Sequence, residues 1–208
     1  MLLPPEAAPL LALFAAEFTA PTAARVHVLT AAAILTTGRR AVAGVLRTLR
    51  HLAPGHATAY RRVLSRAECS GLALGCARAR PVVARPPADA PVLPVGDDTA
   101  DGHTGRTVYG KARHRDPGRS SHALTDWRYG HSRVVLAVPV HFPFASRPRV
   151  LPVLVDPYRG EAGDLARGRP YRTPAQILYG LLSLLRMRSP AAASCSPGTP
   201  AGGRARRR

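Results

Sequence analysis

The chain has 208 residues, with 30 Lys and Arg against 12 Asp and Glu, for a formal net charge of +18. That length holds one domain of ordinary size, or one with a small helical extension. The charge points to a polyanionic partner, because Lys and Arg gain affinity by releasing counterions from phosphates, although GC-rich coding DNA would also enrich Arg, Ala, Pro and Gly. Cys69, Cys76 and Cys195 show no C-x-x-C spacing, which argues against a zinc site or a disulfide framework.

The opening MLLPPEAAPLLALFAAEF is apolar but has no basic leader and contains Glu6 and Glu17, so it reads as an amphipathic lead-in segment and not a signal peptide. No run approaches the length of a membrane span. From Pro21 to about Arg80 the pattern is helical. TAARVHVLTAAAIL is Ala-rich with little to break it, and TTGRRAVAGVLRTL restarts after Gly38, with Thr36 or Thr37 available as a cap. HATAYRRVLSRA gives a third helix, with Tyr60, Val63 and Leu64 on one side and Arg61, Arg62 and Arg66 near the other. Such short basic helices suit a DNA-binding module and a small bundle with solvated arginines equally well.

RPVVARPPADAP is proline-rich and marks a boundary, with residues 81–90 as the linker. Beyond it VLPV leads to the acid pair Asp97 and Asp98. SRVVLAVPVHF and RVLPVLV are β-branched, apolar and too short for helices, so they read as buried strands. TPAQILYGLLSLLRM returns to helix with Pro174 in the first turn. The fold class expected is therefore α/β: a helical region over 1–80, the linker, a mixed sheet with one helix over 91–187, and a disordered basic tail over 188–208.

Adjacent strand residues point to opposite faces, so only one of Asp97 and Asp98 can aim at a given site. A strand-end carboxylate can hold Mg²⁺, which takes few protein ligands and keeps waters and phosphate oxygens. Taken alone, GDDTADG reads as an Asp- and Gly-rich surface turn. The wider segment changes that reading. GDDT is followed by GRTVYGKARHRDPGRSSH, then WRYGHSR running into VVLAVPVHFPFASRPRVLPVL, then RGRPYRTPAQILYGLLSLL; upstream lie TGRRAVAGVLRTL and YRRVLSRAECS. In this order, over roughly residues 20 to 187, these segments resemble the DDE-superfamily transposases of bacterial insertion sequences.

The resemblance implies an RNase H-like fold that cuts and joins DNA with an Asp-Asp-Glu triad and Mg²⁺. Carried over, Asp98, directly before Thr99, is the first catalytic acid and metal ligand, with Asp97 a supporting neighbour. Lys111, Arg113, Arg115 and Arg119 fall in the family's basic loop and would position DNA phosphates. His114 reads as a surface residue of that loop and not as a general base. The partners implied are double-stranded DNA at transposon ends and a second copy or an intact transposase; the place implied is the cytoplasm, at the nucleoid, with no membrane.

Two departures stand out. Pro94 and Gly96 occupy positions that are usually aliphatic in the family, and a central strand loses a ladder hydrogen bond at proline. No Asp or Glu follows Asp164, and Glu161 and Asp164 lie in a Gly- and Arg-rich connection before the helix, out of place for the second acid and the Glu. The expectation is a truncated or frameshifted, catalytically incomplete transposase whose sheet keeps an unpaired strand edge. The alternative is a non-catalytic DNA-binding remnant or regulator of an intact transposase. An RNA-binding protein is the third reading; aromatics make up 5% of the chain and form no run alternating with Arg, which argues against single-strand stacking.

Overall fold

The computed structural model describes residues 4–38, 40–49, 52–85, 91–105, 108–116 and 118–188. The tail expected to be disordered lies outside the described residues apart from Arg188, as does the stretch 86–90 of the expected linker. The chain divides into two compact units between Arg78 and Ala79.

The first unit is helical. A 3-10 turn, Pro5–Ala7, leads into α1 (Ala8–Ala15), followed by α2 (Ala20–Leu35), α3 (Val42–Leu49) and α4 (Ala57–Arg66). The small residues of α2 permit close approach: Ala32 is fully buried against Val45 and Leu49 of α3. Thr36 does not cap α3 as expected. That helix begins only at Val42, too far on for the Thr36 side chain to reach its first turn, and Thr36 Oγ1 instead donates to Ala32 O at 2.6 Å and closes α2. His56 caps α4, its Nδ1 accepting from the Thr58 N–H. Arg61, Arg62 and Arg66 are exposed, and Tyr60 is buried with its hydroxyl donating to Pro54 O. Leu64, expected beside Tyr60, is exposed. The helix α5 (Gly71–Val83) passes the expected boundary at Arg80 and includes Pro81.

The second unit is an antiparallel sheet with a helix across one face, which places the protein in the α/β class. The strands are β1 (Val95–Gly102), β2 (Ala112–Arg115), β3 (Trp127–Val140) and β4 (Arg149–Tyr158), followed by a short helix α6 (Glu161–Leu165) and the long α7 (Pro174–Arg188). Strand β3 is the spine. One edge pairs with β1 from Val95↔Ala137 to Gly102↔Gly130; the other pairs with β2 over Ala112↔Gly130 to Arg115↔Trp127 and with β4 from Ser132 onward. On β3 the residues Val134, Leu136, Val138 and Val140 are buried on one face, the alternation expected of a half-covered strand. Helix α7 covers that face with Ile177, Leu181 and Leu185. Its start is fixed by a capping box: Gln176 N donates to Thr173 Oγ1 at 3.2 Å and Thr173 N to Gln176 Oε1 at 2.9 Å.

Pro94 and Gly96 do not interrupt the strand. Strand β1 begins at Val95, just past the proline, and a Cβ on Gly96 would overlap the Leu178 side chain of α7. Glycine is what lets the helix lie close to the strand. Gly130 is tighter still, because a Cβ there would overlap the backbone carbonyl of Asp101. Arg128 reinforces this junction. Its guanidinium donates to Ala100 O of β1 at 2.9 Å and pairs with the buried Asp116, just after β2, at 2.6 Å.

Two substitutions separate these roles. Gly96→Ala should cost roughly 1–2 kcal/mol, since the end of the Leu178 side chain can move, whereas Gly130→Ala meets backbone and should exceed about 3 kcal/mol. Urea unfolding of both variants measures the difference.

Candidate metal and nucleic-acid site

Alternation along β1 separates the two acids. Asp98 stands opposite Val134 and Asp97 opposite Val135, and directly paired residues share a face. Asp98 therefore lies on the face that α7 covers, beyond the reach of the helix, with its side chain exposed. Asp97 lies on the other face, and its Oδ1 accepts from the Asp98 N–H at 2.9 Å. The acid pair is thus inside a strand and not in a surface turn.

A cavity of about 310 Å³ opens beside Asp98, lined also by Arg113, His114, Arg115, Ser132 and Tyr158. His114 is not a surface loop residue. It sits in β2, is buried, and its Nε2 has no hydrogen-bond partner. Opposite Arg128 in the β2–β3 register, it faces the same way as Ser132 and Tyr158, and its ring lies 5.8 Å from that of Tyr158. The KARHR segment misled because its charges suggest a solvated loop, while its alternation, with Ala112 and His114 on one face, is that of a strand. Burial pushes the His114 pKa down, with the nearby His131 adding a smaller effect. The Tyr158 hydroxyl is pushed up to about 12, chiefly by its hydrogen bond to Tyr171 and then by burial.

Asp156 is an acid that sequence reasoning missed. It pairs with Val134 from the β4 side, so it shares a face with Asp98, two strand spacings or ~10 Å away. Only alignment of the three strands brings the two together. Asp156 is not free, because Arg172 Nη2 donates to its Oδ2 at 2.9 Å. Asp164 is buried in α6 with Arg159 Nη1 3.9 Å from its Oδ1, and Glu161 begins the same helix. Both acids act electrostatically on Tyr158, yet neither stands on a strand.

Of the expected DNA contacts, Arg113 and Arg115 belong to β2 and are exposed. Lys111 is half-buried at the entrance to that strand, its Nζ donating to Gly105 O at 3.0 Å, and Arg119 lies in an exposed turn beyond it. Of these, Arg113 and Arg115 line the cavity beside Asp98. Among the described residues no group of three or more His, Cys, Asp or Glu could hold a metal ion. Asp98 stands as a lone carboxylate near cations, and a hard divalent ion needs several oxygens in near-octahedral array. The described residues do not fit a Mg²⁺ site. Among the described residues no helix is long and apolar enough to cross a membrane.

His114 makes stability depend on pH. Its folded pKa lies below the unfolded value of 6.5, so the unfolded chain takes up its proton first. The stabilisation from a neutral, buried imidazole is full above 6.5 and is lost as pH falls toward the lowered folded value. Unfolding free energy should fall between pH 7 and pH 5, and His114→Leu should flatten that part of the profile.

A family model described as DDE superfamily endonuclease matches residues 13–195. No curated protein matches the chain, and no solved structure does.

Proposed function

Because the chain belongs to the DDE superfamily endonuclease family, whose members act on DNA, we propose that it is a transposase-like protein that holds duplex DNA but does not cleave it alone. Asp98 stands in the role of the first catalytic carboxylate, and Lys111, Arg113, Arg115 and Arg119 grip backbone phosphates, contacts that position DNA without reading its sequence. The observation that carries this reading is the placement of Asp98: an exposed acid on a strand, at the open end of the helix-covered face, in a cavity shared with Arg113 and Arg115. The place of action on this reading is the nucleoid.

Cleavage through two divalent ions needs further carboxylates, and among the described residues none forms a metal-holding group with Asp98. Mg²⁺ in this reading belongs to a completed site, so no chemical step is assigned to Asp98 and its neighbours alone. A second reading makes the protein a non-catalytic partner of an intact transposase, and the edge of β1 favours it. Among the described residues β1 pairs only with β3. The outer strand β4 carries Pro152 and Pro157, residues that suit a terminal edge. Strand β1 has no proline from Val95 to Gly102, so its outward edge can accept a further strand once the local bonds of the Asp98 N–H to Asp97 Oδ1 and of Ala100 O to Arg128 give way. Two copies of β1 would set Asp against Asp, a like-charge pairing that is unfavourable. A strand of another sequence is the better occupant.

The test is plasmid nicking and duplex binding. The chain in Mg²⁺ should leave supercoiled DNA intact, while its affinity for duplex falls steeply with salt, at a log–log slope of about −0.9 per phosphate contacted. Lys111→Ala should reduce that slope by about 1. Mg²⁺-dependent nicking that disappears in Asp98→Ala would contradict the proposal, as would salt-independent binding.

A further inference from the structure

The face of the sheet opposite Asp98 carries an arrangement that the linear sequence hides. Trp127 and Tyr129 are alternate residues of β3, and both are exposed to solvent, at 46% and 58%. Arg115 and Arg113 stand directly opposite them on β2. The Arg113 guanidinium lies over the Trp127 ring at 4.2 Å, and Lys111 Nζ lies 6.0 Å from the centre of the Tyr129 ring. Along the chain the cations and the aromatics belong to separate segments. Across the two strands they interleave as a ladder.

We propose that this ladder binds unpaired DNA, with bases stacking on Trp127 and Tyr129 and phosphates lying against Lys111, Arg113 and Arg115. Single-strand binding surfaces combine these two components, aromatic faces for bases and cations along the backbone. An open sheet face with exposed aromatics is an established way to present two or three bases at once. Arginine suits the position because its planar guanidinium stacks on a ring while its edges still donate to phosphate. The existing cation–ring contacts also hold these long side chains in place before binding, which lowers the entropy lost on association. The segment from Lys111 to Arg115 carries no acid, and Asp101, on the same face, is paired with Arg133. Arg113, Arg115 and Trp127 also line the cavity at Asp98, so the ladder and the acid share one end of the sheet. The choice of DNA over RNA rests on the family reading above; the stacking itself does not.

Trp127 is the chain's single tryptophan, so its fluorescence reports on the proposed surface alone. Titration of the full chain with a thymidine oligomer of about 12 nucleotides, within the range of single-strand sites, should quench its emission. Heparin, a polyanion without bases, should bind without quenching. By anisotropy of the labelled oligomer, Trp127→Leu should weaken binding roughly 5- to 150-fold, the fold-change of one lost stacking contact, with heparin affinity unchanged. Tyr129→Ala should reduce the quenching while keeping the reporter. Emission unmoved at saturating oligomer, or an equal loss of oligomer and heparin affinity in Trp127→Leu, would overturn the proposal. A duplex of the same length separates the two readings. Salt-sensitive duplex binding without oligomer quenching leaves the proposed function standing and removes this inference, while oligomer quenching without duplex binding does the reverse.

Discussion

The second unit depends on one crowded point, the junction at Gly130, where β1 and β2 meet β3 from opposite edges. No side chain fits there, because the Asp101 carbonyl occupies the space a Cβ would need. Arg128, two residues away, ties the same three strands by bonding to the Ala100 carbonyl and to the buried Asp116 carboxylate. Removing the guanidinium would leave that carboxylate buried without its cation, which is costlier than losing an exposed ion pair. The close approach and the clamp together fix the register in which every other strand residue is placed.

Register decides chemistry here because a slip of one residue exchanges the faces of a strand. With Gly102 against Gly130, Asp98 shares a face with Val134 and points toward the open end of the α7-covered side. With Ala112 against Gly130, His114 turns inward, and Arg113 and Arg115 turn outward beside Tyr129 and Trp127. A single alignment thus puts an acid, a buried imidazole and a tyrosine on one face and a cation–aromatic ladder on the other. Asp101 belongs to the second face, where it is paired with Arg133.

Much of this architecture is legible in the sequence because its signals are local. The aliphatic runs around Val134 to Val140 and Val150 to Val155 are too short for helices, and Thr173 with Gln176 marks the start of α7. The separation of Asp97 from Asp98 follows from strand alternation alone. What escapes is what depends on pairing between distant segments. Asp156 meets the Asp98 face only through Val134, and the ladder exists only when β2 lies beside β3. His114 was obscured by its charged neighbours, and Thr36 by its distance from the start of α3, which the Gly38 region conceals. The match over residues 13–195 agrees with the family resemblance, which rests on the order of several weak motifs and not on any one of them.

The two sheet edges differ as their residues would suggest. Prolines in β4 close one edge, whereas β1 presents alternate N–H groups with no strand against them among the described residues. Residue-resolved amide hydrogen exchange tests the central claim, that β3 is the fully paired spine and β1 a half-paired edge. Amides from Ser132 to Leu136 should all exchange slowly, because β1 and β4 flank them on both sides. Those of β1 should alternate between slow and fast from Val95 to Gly102. Uniform protection along β1, or rapid exchange in β3, would contradict the account.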